Sequence, residues 1–351
     1  MRCRASWRPN WRSWGWFSLS CSTDCLGGIL LKHHFGDSLD REHGYWTIVP
    51  NRERWRAHFG DLLDAPADAK CLTVTRNDRN WESIFDFGDL RELTLHEPSQ
   101  CQLMALAKLP QLHSLRITHA RPKSLDTLSG IESLKELVLE YVSGFDDLGP
   151  VGKLPNLQSL HIENLRRVRD FNGLALSRSL KYLSIDGTLD WKQPIHDLEF
   201  LASMESLEFL GLANVRIQAP YPVFSPLRSM RKLKIVKITQ FAVELREFAF
   251  LQASRPDVEG AIRAPFIIHK AERRPVSGGD VRNRMPEADF RRLKASFIDD
   301  QGRRFIEEPT TAYLLGKGTR SVSGKDSMVQ AKCDAHARLY ESLIVDAKIS
   351  T

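Results

Sequence analysis

Three groups of residues have types and spacing that chemistry can use. Gly316-Lys317-Gly318-Thr319 contains the Gly-Lys pair of a phosphate-cradling loop, but such a loop also needs a glycine five residues before a Gly-Lys pair followed by Ser or Thr, and that residue is Thr311. Cys21, Cys25, His33 and His34 carry zinc-ligating side chains at a spacing that matches no standard zinc module. Cys333 and His336 are the residue types of two metal ligands, or of a nucleophile with its base. Cys333 also stands at helical spacing from Ala337, Tyr340 and Ile344, which expects it on the buried face of an amphipathic helix. No G-x-S-x-G, H-E-x-x-H or kinase-type set occurs. The residues therefore point to no catalytic group, no metal and no cofactor.

The elements that would position any site come from an internal repeat. One register recurs seven times: apolar residues at every third position, then one more two residues on. Its first copy is Trp81, Ile84, Phe87, Leu90, Leu93, Leu95, and its last is Phe224, Leu227, Met230, Leu233, Val236, Ile238. Ser177 is the single non-apolar residue in these positions, and a degenerate eighth unit, Ala69, Leu72, Val74, precedes them. Equivalent strand positions (Leu72, Leu93, Leu115, Leu137, Leu160, Leu183, Leu210, Val236) are 21 to 27 residues apart. The terminal x-L-x-L of each unit alternates as a half-buried strand does, and the three-residue spacing before it suits a helical or 3₁₀ return. One unit cannot bury its leucines alone, so the units must stack into an α/β solenoid with a continuous leucine core.

This block resembles the leucine-rich repeats of about 22 residues found in bacterial internalin-like proteins. The resemblance implies a horseshoe of about eight repeats with a concave parallel β-sheet, a helical C-terminal cap and tail, and a protein-binding role. Such repeats usually carry an Asn three residues after the last strand leucine. Asn77 alone falls there, and Pro98, Ala120, Val142, Leu165, Thr188 and Val215 stand in the other copies. The string 315–320 followed by Cys333-Asp334 is similar to the tail after the repeats in some bacterial proteins of this kind, and implies no activity. Bacterial leucine-rich repeat proteins also include ubiquitin ligases with a catalytic Cys in a separate C-terminal domain. The alternative reading is thus an enzyme or effector whose tail around Cys333 carries such an activity, although about 100 residues is far shorter than that domain.

Residues between the core leucines of a strand point to the concave side. Aligning the copies places Glu136, Glu140, Glu163 and Asp186 in an acidic patch, with His161 among them, beside an aromatic and apolar cluster of Tyr182, Phe209 and Ile235. Like charges on neighbouring strands are mildly destabilising and exposed aromatics are common interface anchors. These eight residues are the expected partner-binding site, for a protein with a basic and partly apolar surface. Covering of the aromatics by the C-terminal tail is the alternative for the same pattern.

Charge argues against nucleic acid as the partner. The formal +6 divides into +1 over 1–68, +2 over 69–240 and +3 over 241–351, and no basic stripe tracks a phosphate backbone. No apolar run is long enough for a membrane span. Six irregularly spaced cysteines fit a reducing compartment, so a cytoplasmic location is expected, with a secreted effector as the alternative. The expected organisation is a disordered leader at 1–35, an N-terminal flank or cap at 36–68, the solenoid at 69–240, a C-terminal cap at 241–262, a loosely ordered connection at 263–325 and an amphipathic helix at 326–351.

Overall fold

The structure, a computed structural model, describes residues 57–350 apart from 189, 279, 294 and 320. The expected leader, Cys21, Cys25, His33, His34 and the first part of the N-terminal flank lie outside the described residues.

Each repeat contributes one five-residue strand, or four in the last: β1 (Cys71–Thr75), β2 (Glu92–His96), β3 (Ser114–Thr118), β4 (Glu136–Glu140), β5 (Ser159–Glu163), β6 (Tyr182–Asp186), β8 (Phe209–Ala213) and β10 (Ile235–Ile238). They form one eight-stranded parallel sheet in sequence order, with strand leucine paired to strand leucine from Leu72 to Leu210 and Leu210 paired to Val236. The fold is a leucine-rich repeat solenoid. Short 3₁₀ segments such as Asp126–Gly130, Asn172–Leu176 and Glu199–Ser203, with the helices α1 (Gln100–Ala105) and α2 (Gly149–Gly152), return the chain behind the sheet. Leu72, Leu93, Leu115, Leu137, Leu160, Leu183 and Leu210 form the core row beneath the sheet, each fully buried. Truncating one of them would cost about 2–5 kcal/mol.

The two longest repeats carry their extra residues on the outer wall. There β7 (Gln193–Ile195) and β9 (Val215–Ile217) pair in parallel, and the inner strands keep their length. The residue after most inner strands is left-handed: Glu97, His119, Tyr141, Asn164 and Asn214 have φ between 48° and 58°. The N–H of Glu97, His119, Tyr141 and Asn164 donates to the carbonyl of the last residue of the next strand, at 2.9–3.0 Å. The chain then turns away from the sheet.

An Asn ladder would satisfy backbone groups at the start of each return, and here apolar residues fill those places: Ala120, Val142, Leu165 and Val215 are buried. Three long side chains do related work. Gln193 accepts from the Leu165 N–H at 2.9 Å and donates to the Val168 carbonyl at 2.8 Å. Gln102 donates to the Thr75 carbonyl at 2.7 Å. Arg255 donates to the carbonyls of Leu227, Met230 and Leu233 behind the last repeat.

The expected cap contains α3 (Leu245–Ser254), with Phe248 and Leu251 buried, and Glu259 continues the sheet as a single parallel bridge to Ile235. Gly260, at φ +81°, passes so close to β10 that a Cβ would sit 2.1 Å from the Val236 carbonyl oxygen.

The tail departs from expectation. Across 263–325, expected as a loosely ordered connection, the described residues hold β11 (Phe266–His269), β12 (Glu272–Pro275), α4 (Glu287–Phe290), β13 (Ser296–Ile298), β14 (Arg304–Glu308), β15 (Thr310–Leu314) and β16 (Val322–Gly324). They make two antiparallel three-stranded sheets, β11-β15-β16 and β12-β14-β13. Pairings such as Phe266 with Leu314 join residues far apart in the chain, and β12 is exposed along its whole length, so local patterning carries no trace of them. The final helix, α5 (Asp326–Ser350), packs along α3 and buries Cys333, Tyr340 and Ala347.

Candidate functional site

The register of the sheet brings the eight expected residues to one face. Glu136, Ser159, Tyr182, Phe209 and Ile235 are successive cross-strand partners, as are Glu140, Glu163, Asp186 and Ala213. His161 lies in the row between them, flanked by Val138 and Ser184.

They are less exposed than an acidic patch beside an aromatic cluster, offered to a partner, would be. Glu136, Glu140, His161, Glu163, Tyr182 and Phe209 are buried, and Asp186 and Ile235 are half-buried. Cross-strand pairing accounts for part of this. The Arg116 guanidinium, itself buried, reaches diagonally from β3 and forks Glu140: Nη2 donates at 2.7 Å to Oε2 and 2.9 Å to Oε1, and Nε at 3.1 Å to Oε2. Ser114 Oγ donates to Glu136 Oε2 at 2.8 Å. The rings of Tyr182 and Phe209 stack at 4.3 Å with 15° between planes, and Lys237 Nζ lies 5.6 Å from the Phe209 ring centre. Glu136 also stands in the opposite row from the other three carboxylates, so the acids form a row of three with an arginine beside it.

His161 is the odd member of this set. It is 2 % exposed, and neither Nδ1 nor Nε2 has a hydrogen-bond partner among the described residues. A buried polar side chain left so costs about 1–3 kcal/mol. Burial pushes its pKa down to about 4, against the raising effect of Glu140 and with the lowering effect of Arg116, so the ring is neutral near pH 7. Ligand atoms of Glu140, His161 and Glu163 all lie within 4.8 Å of one another. One repeat further on, burial lifts the Asp186 carboxyl to about 6, opposed by hydrogen bonds from Asn214 Nδ2, at 3.2 Å, and the Gly187 backbone.

Arg116 was missed by sequence reasoning, although it occupies the same row as His161. Its signal is a lone arginine one repeat before a carboxylate, which becomes a contact only through the diagonal reach of a long side chain. At the strand ends, His119 stacks on Tyr141 at 4.8 Å, beside a cavity of about 280 Å³ also lined by Arg121, Asn164 and Arg166.

The tail residues singled out by type are held by packing and by contacts with backbone groups. Cys333 is fully buried beside Val329 and Ala312, and burial pushes its thiol pKa up. His336 Nε2 lies 3.0 Å from the Leu315 carbonyl oxygen. The loop from Leu315 to Lys317 docks on the cap, with Gly316 N–H donating to the Gln240 carbonyl and Lys317 N–H to that of Val243. At Gly316, φ is +111° and a Cβ would meet the Leu245 nitrogen at 3.0 Å, which is why glycine stands there.

No family model and no curated protein matches the chain. Among solved structures it is similar to an internalin from Listeria monocytogenes, with 23% identity over 51% of this chain and 49% of that one and a TM-score of 0.38. It is also similar to internalin C2 from the same organism, with 26% identity over 48% and 70% of the two chains and a TM-score of 0.37. A leucine-rich repeat protein from Leptospira interrogans has 18% identity over 54% and 45%, with a TM-score of 0.36. The chain thus spans about half the length of the first and third of these proteins.

Proposed function

We propose that this chain is a non-enzymatic protein-binding module whose partner engages the concave face around β4, β5, β6, β8 and β10. The observation that carries this reading is the lining of that face. A stacked Tyr182–Phe209 pair, a row of carboxylates and an imidazole with unpaired nitrogens replace the small polar residues that suffice for a merely solvated sheet. Stacked aromatics beside fixed charges have the composition of interface anchors. The half-buried Asp186 and Ile235 are the members of this lining that a partner can reach, and they favour a basic, partly apolar surface. The partner is a protein rather than a nucleic acid, since charge is mixed along the whole chain.

An active site at Cys333 has little to support it. A thiol that is buried and raised in pKa is a poor nucleophile. A cytoplasmic setting is the reading we favour. No helix among the described residues is long and apolar enough to cross a membrane.

The test is affinity capture with the purified chain, comparing wild type with Asp186→Asn/Ile235→Lys, which alters two half-buried concave positions and removes their attraction for a basic, partly apolar surface. Glu199→Lys on the outer wall serves as the control. A protein held by wild type and control but lost by the concave variant, with all three equally folded, supports the reading. Equal retention by all three overturns it.

A further inference from the structure

We propose that Glu140, His161 and Glu163 bind one divalent transition-metal ion, with Zn²⁺ the best match to a set of one imidazole and two carboxylates. The sheet itself assembles the set. Glu140 and Glu163 are direct partners across β4 and β5, and His161 stands two residues before Glu163 on the same strand, so all three side chains leave one face of a paired ladder. Their ligand atoms already lie within 4.8 Å of one another. Bonds of about 2.0–2.2 Å from zinc to nitrogen and oxygen would draw them somewhat closer, a change that side-chain torsions can supply.

His161 points independently to a ligand at this place. It is 98 % buried, shielded from bulk solvent, and neither ring nitrogen meets a partner among the described residues. A neutral imidazole offers one lone pair, and a metal cation uses it with the two carboxylates at hand. Arg116 holds the Glu140 carboxylate by its fork, which fixes the ligand's orientation as outer partners of metal sites do. Three protein ligands leave a tetrahedral ion one further position, which water can take.

This inference goes beyond the protein-binding reading and does not depend on it, because metal affinity is measured on the chain without any partner. Full-length protein is stripped with a chelator and titrated with Zn²⁺ against a chromophoric competitor near neutral pH. Co²⁺ is then added in a parallel sample and its visible absorption recorded. Wild type should bind one equivalent at this site, and Zn²⁺ should raise its melting temperature. His161→Ala and the near-isosteric Glu163→Gln should each weaken that binding by at least roughly tenfold and remove the Zn²⁺-dependent melting shift and the Co²⁺ band. Cys21→Ser/Cys25→Ser, which removes the two cysteines of another group of zinc-ligating residue types, should leave both signals unchanged. The proposal is overturned if wild type binds no Zn²⁺, if folded His161→Ala and Glu163→Gln bind it as wild type does, or if binding disappears only in the cysteine variant. Circular dichroism of the stripped proteins separates lost ligation from lost folding.

Discussion

Arg116 and Glu140, on adjacent strands and one diagonal step apart, are both fully buried and joined by three hydrogen bonds of 2.7–3.1 Å. Removing one member leaves a buried charge without its principal partner. Arg116→Met should therefore lower stability by about 3–5 kcal/mol. The double variant Arg116→Met/Glu140→Gln should recover most of that loss, because no full charge is then stranded. Urea denaturation of the four proteins in a double-mutant cycle measures the coupling, and additive effects would contradict it.

Stability should depend on pH through Glu247 with a sign opposite to that of an ordinary paired carboxylate. Burial lifts this group from 4.5 to about 7, while the backbone N–H of Val223 and Phe224 pull it back. The folded state therefore holds its proton more tightly than the unfolded state. Its stabilising contribution is complete below about 4.5 and is lost as pH rises through about 7. Glu247→Gln should flatten the fall in melting temperature across that window, and an unchanged slope would show that the group does not titrate there.

His161 works in the other direction. Its folded value of about 4 lies below the ordinary 6.5, so its contribution is present above 6.5 and fades as pH falls through 4. Melting temperatures of wild type and His161→Phe should diverge at acidic pH, with the wild type falling faster.

Ser177 is the one polar residue in the repeat register, and its buried hydroxyl has no hydrogen-bond partner among the described residues. Ser177→Ala removes that group at small cost in volume. It should stabilise the protein by about 1 kcal/mol, read as a higher urea midpoint with an unchanged slope.

Gly260→Ala should destabilise the C-terminal cap by more than about 1 kcal/mol, since its backbone is left-handed and a Cβ would collide with the Val236 carbonyl. Gly88→Ala, where a Cβ meets nothing within 4 Å, is the matched control. Amide exchange should show the loosening first in β10 and α3.

The solenoid was legible because its signal is summed over copies: Leu93, Leu115 and Leu137 each predict the others, and register then assigns every intervening side chain to a face. That logic placed Glu140, His161 and Glu163 together. It could not see their burial, nor the Arg116 contact, because repeat alignment reports rows and not diagonals. It had even less to work with in the tail. Arg273 and Arg274 on β12 alternate with nothing apolar, and their partners Glu307 and Ile306 come more than thirty residues later. The metal-ligand set escaped notice for a related reason: alignment puts its three residues side by side but does not show that both His161 ring nitrogens lack partners.

The left-handed residue that follows most inner strands has an evolutionary consequence. By ending the strand and sending the chain outward at a constant point, Glu97, His119, Tyr141, Asn164 and Asn214 separate two modes of change. Extra residues sit in the outer wall, as those of β9 after Asn214 do, without shifting the frame in which the inner residues face one another. The inner face can then diversify one substitution at a time while the wall behind it changes length, so the recognition surface and the scaffold can be selected nearly independently.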